Sequence, residues 1–195
     1  MRILLKKDQS KLIPVMLGGS SRHSELGSES GSRNEFGMTG GRLDIVLAGV
    51  NASVEVVGLL MAKGERQTAF DVYITHTAPN TKSNVNVRAV LRGKSQFAFR
   101  GNVRIEKGAK GADAYLRSDA LLFDDARMGD DTPSLEILEP DVKAGHAATI
   151  GKVDEQMLFY LMSRGISRKQ AEKLLVEGFV KPIRNRIKDA RLSLP

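Results

Sequence analysis

Residues 82–105 read KSNVNVRAVLRGKSQFAFRGNVRI, and apolar and polar side chains alternate along most of this stretch. Val85 and Val87 are separated by single polar residues, and the same spacing returns at Phe97 and Phe99. Because successive side chains of a strand point to opposite faces, a period of two predicts strands with one buried face. The glycine-containing segment between the two runs predicts a turn.

The alternation extends in both directions from this stretch. It begins after Arg42 and continues to Ile137, in short segments separated by Gly, Asn and Asp. No helical pattern of adequate length lies between Arg42 and Gly151, which argues against crossover helices and a doubly wound sheet. The spacing therefore predicts a mainly β fold and leaves two architectures open, a β-sandwich and a β-helix.

The apolar period becomes helical after residue 151. Asp154 is a candidate N-cap, and Gly165 marks the predicted end of the first helix. This helix carries an apolar stripe, namely Met157, Leu158, Leu161 and Met162. The strands are thus followed by a helical region.

Two further helices are predicted in the C-terminal region. Ser167 and Gln170 have the spacing of a capping box, which opens a helix that ends at Gly178. Pro182 indicates the start of a third helix. The predicted organisation is an N-terminal segment over residues 1–41, a strand-rich core over 42–151 and a helical region over 152–195. Within the first segment, residues 18–41 are rich in Gly and Ser and predict a mobile loop.

Composition narrows the functional classes. The chain has no cysteine, which excludes disulfides, thiol nucleophiles and thiolate metal ligands. No apolar run approaches the ~20 residues that span a bilayer, and Lys6, Lys7, Asp8 and Lys11 interrupt any signal-peptide core. We therefore expect a cytoplasmic protein. The net charge of +7 is compatible with nucleic-acid binding, but the basic residues are dispersed and only 5% of the chain is aromatic, so this partner is not favoured.

The histidines and acidic pairs favour no enzyme on their own. His23 lies in the Gly/Ser-rich segment, His76 precedes a Pro-Asn turn and predicts a hydrogen-bonded turn histidine, and His146 has small neighbours that suit a metal ligand or close packing. Two acidic pairs fall among turn residues and are interpreted as solvated, namely Asp124 with Asp125 and Asp130 with Asp131. An enzyme acting on polysaccharides would require Asp119, Asp124 and Asp125 to converge in a groove.

Residues 141–167 read DVKAGHAATIGKVDEQMLFYLMSRGIS, and this stretch resembles the C-terminal signature of the SufB/SufD family of iron-sulfur cluster assembly scaffolds. The resemblance continues through GFVK at 178–181, and upstream through PSLEI at 133–137, HTAPNTKS at 76–83 and FRGNVRI at 99–105. It covers residues 45–185 in one order. The resemblance implies a right-handed parallel β-helix followed by a small helical region.

The same resemblance implies a function and partners. Members pair through their β-helices, and their C-terminal helical region engages an ABC-type ATPase, SufC. The chain would then be a non-catalytic scaffold subunit that pairs with a SufB-like subunit or with a second copy of itself. The residues implied in partner docking are Leu158, Phe159, Leu161, Arg164, Gly165 and Phe179.

The resemblance also implies a site at the paired interface. Ser118 stands where SufB has the cysteine of its Gln-Cys-Asp-Ser-Leu-Leu motif, and Ala147 stands where SufB has the glutamate of EHEAT. Neither residue supplies a ligand for iron, because a hydroxyl cannot replace a thiolate. His146 matches the SufD histidine of DVKCSHGATVG and is the candidate iron ligand. We expect no cofactor bound by this chain alone, and an iron-sulfur cluster only where a partner shares it.

Overall fold

A computed structural model describes residues 1–17 and 39–192. The elements, in chain order, are β1 (Arg2–Leu5), β2 (Ser10–Leu17), β3 (Thr39–Leu47), β4 (Ser53–Ala62), β5 (Gln67–His76), β6 (Lys82–Leu91), β7 (Gln96–Ile105), β8 (Asp113–Leu122), β9 (Arg127–Ile137), β10 (Lys143–Lys152), α1 (Glu155–Ser163) and α2 (Arg168–Leu192). The strands thus precede the helices, as the sequence predicts.

The chain winds in successive coils, and its strands alternate between two sheets. Within the described residues, the odd-numbered strands form one five-stranded sheet and the even-numbered strands form another, and every pairing is parallel. Gln67 of β5 pairs with Gln96 of β7, so one coil takes 29 residues at this point. This topology is a parallel β-helix. It confirms the fold implied by the family resemblance and excludes the sandwich that the spacing left open.

The core lies between the two sheets. Residues that pair in register on successive coils occupy the same interior position, so that Phe70 lies beside Phe99 with ring centroids 6.2 Å apart. Gly101 is also interior, where a Cβ atom would come within 2.3 Å of the Leu116 side chain on the opposite sheet. The stacked apolar side chains are the main source of stability.

Turns repeat from coil to coil. Asn80 adopts a φ of 58°, and its amide donates to the Lys110 carbonyl of the next coil over 2.9 Å. Gly111 has a φ of 72° at the corresponding turn and donates to the Asp141 carbonyl over 2.7 Å. Positive φ suits Asn and Gly. These turns satisfy backbone groups that a loop would leave to water.

The β-helix extends beyond its predicted N-terminal boundary. β1 and β2 add a coil ahead of residue 42, and residues 39–41, predicted as loop, belong to β3. Most of the Gly/Ser-rich segment, including His23, lies outside the described residues.

The first helix agrees with its prediction. Asp154 caps α1, since its side chain accepts from the backbone amides of Gln156 and Met157. Ser167 and Gln170 form the reciprocal capping box at the start of α2, with bonds of 3.1 and 3.4 Å. Gly165 adopts a φ of 82° between the two helices.

The predicted break between residues 178 and 182 is wrong, because α2 continues through both as one helix to Leu192. Pro182 has no amide to donate to the Gly178 carbonyl, and an interior proline costs about 3 kcal/mol. Both residues are exposed, while Val180 and Ile183 beside them are buried. Burial of the apolar stripe on both sides of Pro182 offsets the free-energy penalty of the proline.

The outer face of the even-numbered sheet is covered by α2. The helix contributes Val176, Val180, Ile183 and Ile187, and the sheet and its turns contribute Val57, Leu59, Val90 and Phe123. This second apolar cluster fixes the helical region on the β-helix.

Candidate functional site

The last coil, formed by β9 and β10, carries two of the residues that the family resemblance singled out, His146 and Ala147. β9 and β10 are the terminal strands of their sheets, so each has one edge without a neighbouring strand among the described residues. His146 lies on β10 in register with the interior residue Leu116, but it is exposed because no further coil of the described residues covers it. The imidazole is therefore accessible at the open end of the β-helix.

Ser118 and Ala147 lie on different faces of the same sheet. Ser118 is 1% exposed and pairs in register with Ala148, so it faces the interior on the same side as His146. Ala147 pairs with Arg117 on the outer face. The structure thus brings His146 and Ser118 to one face and leaves Ala147 on the other.

Asp131 also belongs to this region, although its position was not predicted from the sequence. The prediction that Asp130 and Asp131 occupy a solvated turn is wrong, because both lie in β9. Asp131 pairs in register with the interior residue Phe99, and both of its carboxylate oxygens are buried. Burial raises the pKa of Asp131, and the nearby Ser118 hydroxyl opposes that rise. A β-bulge between Phe97 and Phe99 shifts the register of β7 with β9. A strict period of two therefore does not predict that Asp131 faces the interior.

The donor set of this chain does not suit an iron-sulfur cluster held alone. Over residues 1–17 and 39–192, no group of three or more His, Cys, Asp or Glu side chains is close enough to share a metal ion. Ser118 supplies a buried hydroxyl, which is a poor ligand for soft iron-sulfur chemistry. His146 offers one imidazole, so a cluster carried here as cargo would need ligands from another chain.

His76 is a structural residue, as its turn position predicts. The side chain is fully buried, and its ring nitrogens lie 2.8 Å from the hydroxyls of Thr81 and Ser83. Burial lowers the pKa of His76 to about 4, so the imidazole is neutral near pH 7. Both hydrogen-bonding positions are used within the fold.

The acidic residues required for a polysaccharide-active site do not converge. Asp119 is buried beside Arg88 and Arg117, at 3.5 and 2.9 Å. Asp124 lies in the turn after β8 and accepts from the Gly93 amide over 2.8 Å. Asp125 is exposed in the same turn. Asp119 is therefore structural and inaccessible to a polymer.

Many arginines are engaged by neighbouring carboxylates. Arg100 contacts Asp71 at 2.9 Å, and Arg104 contacts Glu136 at 3.0 Å across adjacent strands. These pairs reduce the charge available to phosphates.

In the portion of the chain that the structure describes, no helix combines the length and apolar character needed to cross a bilayer.

The exposed surface of α1 is unusually aromatic. Phe159 is 73% exposed and Tyr160 is 53% exposed, and the guanidinium of Arg164 lies 5.4 Å from the Tyr160 ring centroid. Leu161 is half-buried. Further exposed apolar side chains on the two helices are Met157, Met162 and Leu174. We call this set, together with Phe159 and Tyr160, the helical apolar surface.

Ion pairs hold the two helices that carry this surface against the β-helix. Arg168 pairs with Glu155 of α1 at 2.8 Å and with Glu172 one turn along α2 at 3.2 Å. Glu172 also accepts from Arg92, which follows β6, at 2.8 Å. The Arg92 guanidinium in turn stacks 3.7 Å from the Phe123 ring centroid. The network joins both helices to the sheet.

Two of the predicted docking residues, Leu158 and Phe179, pack within the fold. Leu158 is fully buried and is therefore unavailable to a partner in this conformation. Phe179 is half-buried, and Arg88 both donates to its carbonyl oxygen and lies 5.1 Å from its ring centroid. Phe159, Tyr160 and Arg164 remain as accessible side chains.

Comparison with known proteins identifies a family that this chain matches over most of its length. A family model described as "SUF system FeS cluster assembly, SufBD core domain" matches residues 21–179. The Mycobacterium bovis iron-sulfur cluster assembly SufBD family protein is 40% identical over 137 residues, which cover 70% of this chain and 16% of that protein.

Two Bacillus subtilis proteins give similar matches. Iron-sulfur cluster assembly protein SufD is 36% identical over 129 residues, covering 66% of this chain and 30% of that protein. Iron-sulfur cluster assembly protein SufB is 35% identical over 134 residues, covering 69% and 28%. The chain spans less than a third of the length of these relatives. Because the family model matches most of the chain and its fold is a β-helix with C-terminal helices, the chain belongs to the SufBD family.

Proposed function

We propose that this chain is a non-catalytic scaffold subunit of a SUF-type iron-sulfur cluster assembly complex, and that its helical region recruits a SufC-like ABC ATPase. The observation that carries the proposal is the helical apolar surface. Exposed aromatic side chains on a rigidly held element are typical anchors of protein interfaces. Any nucleotide hydrolysis would belong to the ATPase. We place the complex in the cytoplasm, in keeping with the sequence.

The last coil supports the second part of the proposal, which is pairing through the β-helix. Its two strand edges are open to another chain, and an exposed edge favours strand addition. The partner is a SufB-like subunit or a second copy of this chain. His146 would contribute one imidazole to a cluster held between the two subunits, with the other ligands supplied by the partner.

Affinity measurements with the ATPase test the docking surface. The variants Phe159→Ala and Tyr160→Ala should each weaken binding about tenfold or more, because truncating an aromatic anchor typically costs about 2 kcal/mol. Arg164→Ala and Leu161→Ala should weaken it less, through loss of support for the Tyr160 ring and for the packing of α1.

Leu4→Ala is the matched control, since Leu4 is an exposed apolar residue on β1 with a fractional exposure of 57%. It should leave ATPase binding unchanged. Unchanged binding in all four α1 variants would remove the docking proposal. Thermal melting of each variant establishes that the fold is retained.

Anaerobic reconstitution tests the role of His146. The chain is loaded with iron and sulfide alone and together with a cysteine-bearing partner, and cluster content is measured by absorbance and iron analysis. His146→Ala should lower the content of the paired sample, and Thr149→Ala, an exposed neighbour on β10, should not. Equal cluster content in the paired samples of the native chain and of His146→Ala would contradict the assignment of His146 as an iron ligand.

A further inference from the structure

The outer face of the odd-numbered sheet carries a cavity of about 400 Å³. It lies over β1, β3 and β5 and is lined by Arg2, Asp44, Ile45, Val46, Tyr73 and Thr75. The helix α2 packs on the other sheet, and β9 of the last coil lies at the opposite edge of this one. The cavity is therefore separate from both surfaces to which the proposed function assigns a role.

The strand register places the lining side chains next to one another. Arg2, Asp44 and Tyr73 are in register across β1, β3 and β5 and face outward. Val46 and Thr75 form the next outward-facing pair along β3 and β5. All of these residues are half-buried except Arg2, which is exposed. The cavity thus combines an apolar side chain with several polar groups, as small-molecule sites usually do.

The polar groups that line the cavity have few partners within the fold. Farther along the same face, polar side chains pair across strands, as Asn102 does by donating to the Ser134 hydroxyl over 2.9 Å. By contrast, Arg2 forms no hydrogen bond or ion pair with any residue in the described ranges. Within the same ranges, the hydroxyls of Tyr73 and Thr75 form no hydrogen bond either. One guanidinium and two hydroxyls are therefore available to a ligand.

The charge around the cavity favours an anion. Arg42 donates to both carboxylate oxygens of Asp44, with the shortest bond at 2.8 Å. The hydrogen bond from Arg42 lowers the pKa of Asp44, and the positive charge of Arg2 adds to this effect, so Asp44 is ionised near pH 7. Asp71 is paired in turn with Arg100. Two guanidinium groups thus surround one unshared carboxylate, which leaves one positive charge at Arg2.

The Tyr73 ring offers a surface for a flat group. The Arg42 guanidinium lies 4.2 Å from the ring centroid and is not part of the cavity lining. Arg42 precedes the cavity along β3, whereas Val46 and Thr75 follow it, so the guanidinium covers the ring on the side away from the cavity. This contact holds the ring in place. The side of the ring that lines the cavity can accept another ring.

We propose that this cavity binds a small organic carboxylate that carries a planar ring. The carboxylate pairs with the guanidinium of Arg2, whose planar array of donors matches a planar oxyanion. The ring lies against Tyr73 and Val46, and a polar substituent on the ring reaches the Thr75 hydroxyl. Ionised Asp44 repels a second negative charge, so the site selects a monocarboxylate.

Calorimetric titration with benzoate tests the site in the native chain. Benzoate should bind with a dissociation constant on the order of 1 mM or tighter. Backbone amide NMR should place the shifts at residues 44–46 and 73–75. Benzyl alcohol, which has the ring without the charge, should bind about tenfold more weakly or less, because it loses the charged hydrogen bonds. The absence of benzoate binding, or shifts confined to other residues, overturns the proposal.

The non-planar ring of cyclohexanecarboxylate tests the role of Tyr73. This probe keeps the charge of benzoate but cannot stack flat on an aromatic ring, so it should bind more weakly to the native chain. The variant Tyr73→Leu should remove this difference between the two probes. An equal preference for benzoate in the native chain and in Tyr73→Leu overturns the stacking contact.

Matched variants test the two side chains that hold the ligand. Arg2→Gln should weaken benzoate binding about tenfold or more, and Tyr73→Leu should weaken it about fivefold. Arg127→Gln is the control for charge, since Arg127 is exposed at the start of β9. Tyr115→Leu is the control for the ring, since Tyr115 is 42% exposed on the other sheet. Equal weakening by the controls overturns the site.

A gain of affinity separates binding from damage to the fold. Asp44→Asn removes the negative charge from the lining and releases Arg42, so it should bind benzoate more tightly than the native chain does. A variant that only disturbs the sheet would bind more weakly. Weaker or unchanged binding by Asp44→Asn, with a native thermal melt, overturns the assigned preference for a single negative charge.

These outcomes are independent of the proposed function. The titrations use the chain without a partner, and every substitution lies outside α1, α2 and β10. Failure of benzoate binding leaves ATPase recruitment and the scaffold role standing. Loss of ATPase binding in the α1 variants leaves the carboxylate site standing.

Discussion

At the scale of single residues, burial changes the chemistry of groups whose type the sequence already reveals. His76 and His146 are both imidazoles, yet one is enclosed between Thr81 and Ser83 and the other is exposed at the open end of the β-helix. Enclosure favours the neutral ring because an imidazolium would lose hydration, and the negative charge of Asp113 offsets only part of that loss. The first histidine stabilises the fold, and the second is available to a partner.

His76 makes stability depend on pH. Its pKa is about 4 in the fold and about 6.5 in the unfolded chain, so between these values the unfolded state binds more protons. Stability therefore falls as the pH is lowered from about 6.5 to about 4, by about 3 kcal/mol in total. Urea unfolding between pH 7 and pH 4.5 measures the loss. His76→Gln should flatten this dependence, and an unchanged slope would contradict the assignment.

Gly101 is a steric constraint in the core. Gly101→Val should lower the free energy of unfolding by about 2 kcal/mol, because the new side chain enters the volume of the buried Leu116. Gly41→Val is the control, since a Cβ atom there meets Phe70 at an ordinary 3.8 Å. Denaturant unfolding of both variants makes the comparison. Equal stability of the two would show that the core adapts to the added volume.

At the scale of elements, α2 is held by a few specific contacts as well as by its apolar stripe. Arg88 crosses from β6 to the Phe179 carbonyl and lies beside Asp119, while Arg186 pairs with Glu55 of β4. Such contacts fix the position of a helix on a sheet, which apolar burial alone leaves adjustable. They also hold the helical apolar surface in one orientation.

Arg88→Met should loosen α2. We expect a loss of about 2 kcal/mol, because the variant removes a hydrogen bond from a charged donor and leaves Asp119 with Arg117 as its remaining cation. Limited proteolysis should cut the helical region earlier, while the β-helix remains folded. Arg117→Met serves as the control, since Arg117 also pairs with Asp119 but contacts no residue of α2 in the hydrogen bonds and ion pairs of the described residues. Equal cleavage of both variants would contradict the role of Arg88.

At the scale of the whole molecule, the β-helix is a stack in which each coil contacts mainly its neighbours. The stability of such a stack is close to a sum of coil and interface terms, so the ends open more readily than the centre. The last coil is the least covered end among the described residues, with half-buried or exposed side chains throughout β10. A partner at this end would supply the missing interface.

Amide exchange should display this gradient. In dilute protein, peptides from 67–105 should exchange slowly and peptides from 127–152 should exchange faster, because the latter have neighbours on one side only. Raising the protein concentration should protect 127–152 selectively if a second copy covers this edge. Mass spectrometry of exchange measures both effects. Uniform protection along the coils in dilute protein would contradict the expected gradient.

The sequence by itself determined the strands after residue 42, the order of elements and the capped start of both helices, because these depend on side-chain period and on caps a few residues apart. Its family signature also predicted the β-helix and singled out His146 as the candidate iron ligand. Spacing alone could not distinguish a β-helix from a sandwich, because that choice depends on pairing between residues 29 positions apart, such as Gln67 and Gln96. Tertiary structure alone decided that α2 crosses Pro182 and that the carboxylate oxygens of Asp131 are buried. Both follow from packing against distant strands, which outweighs the local preferences that a sequence displays.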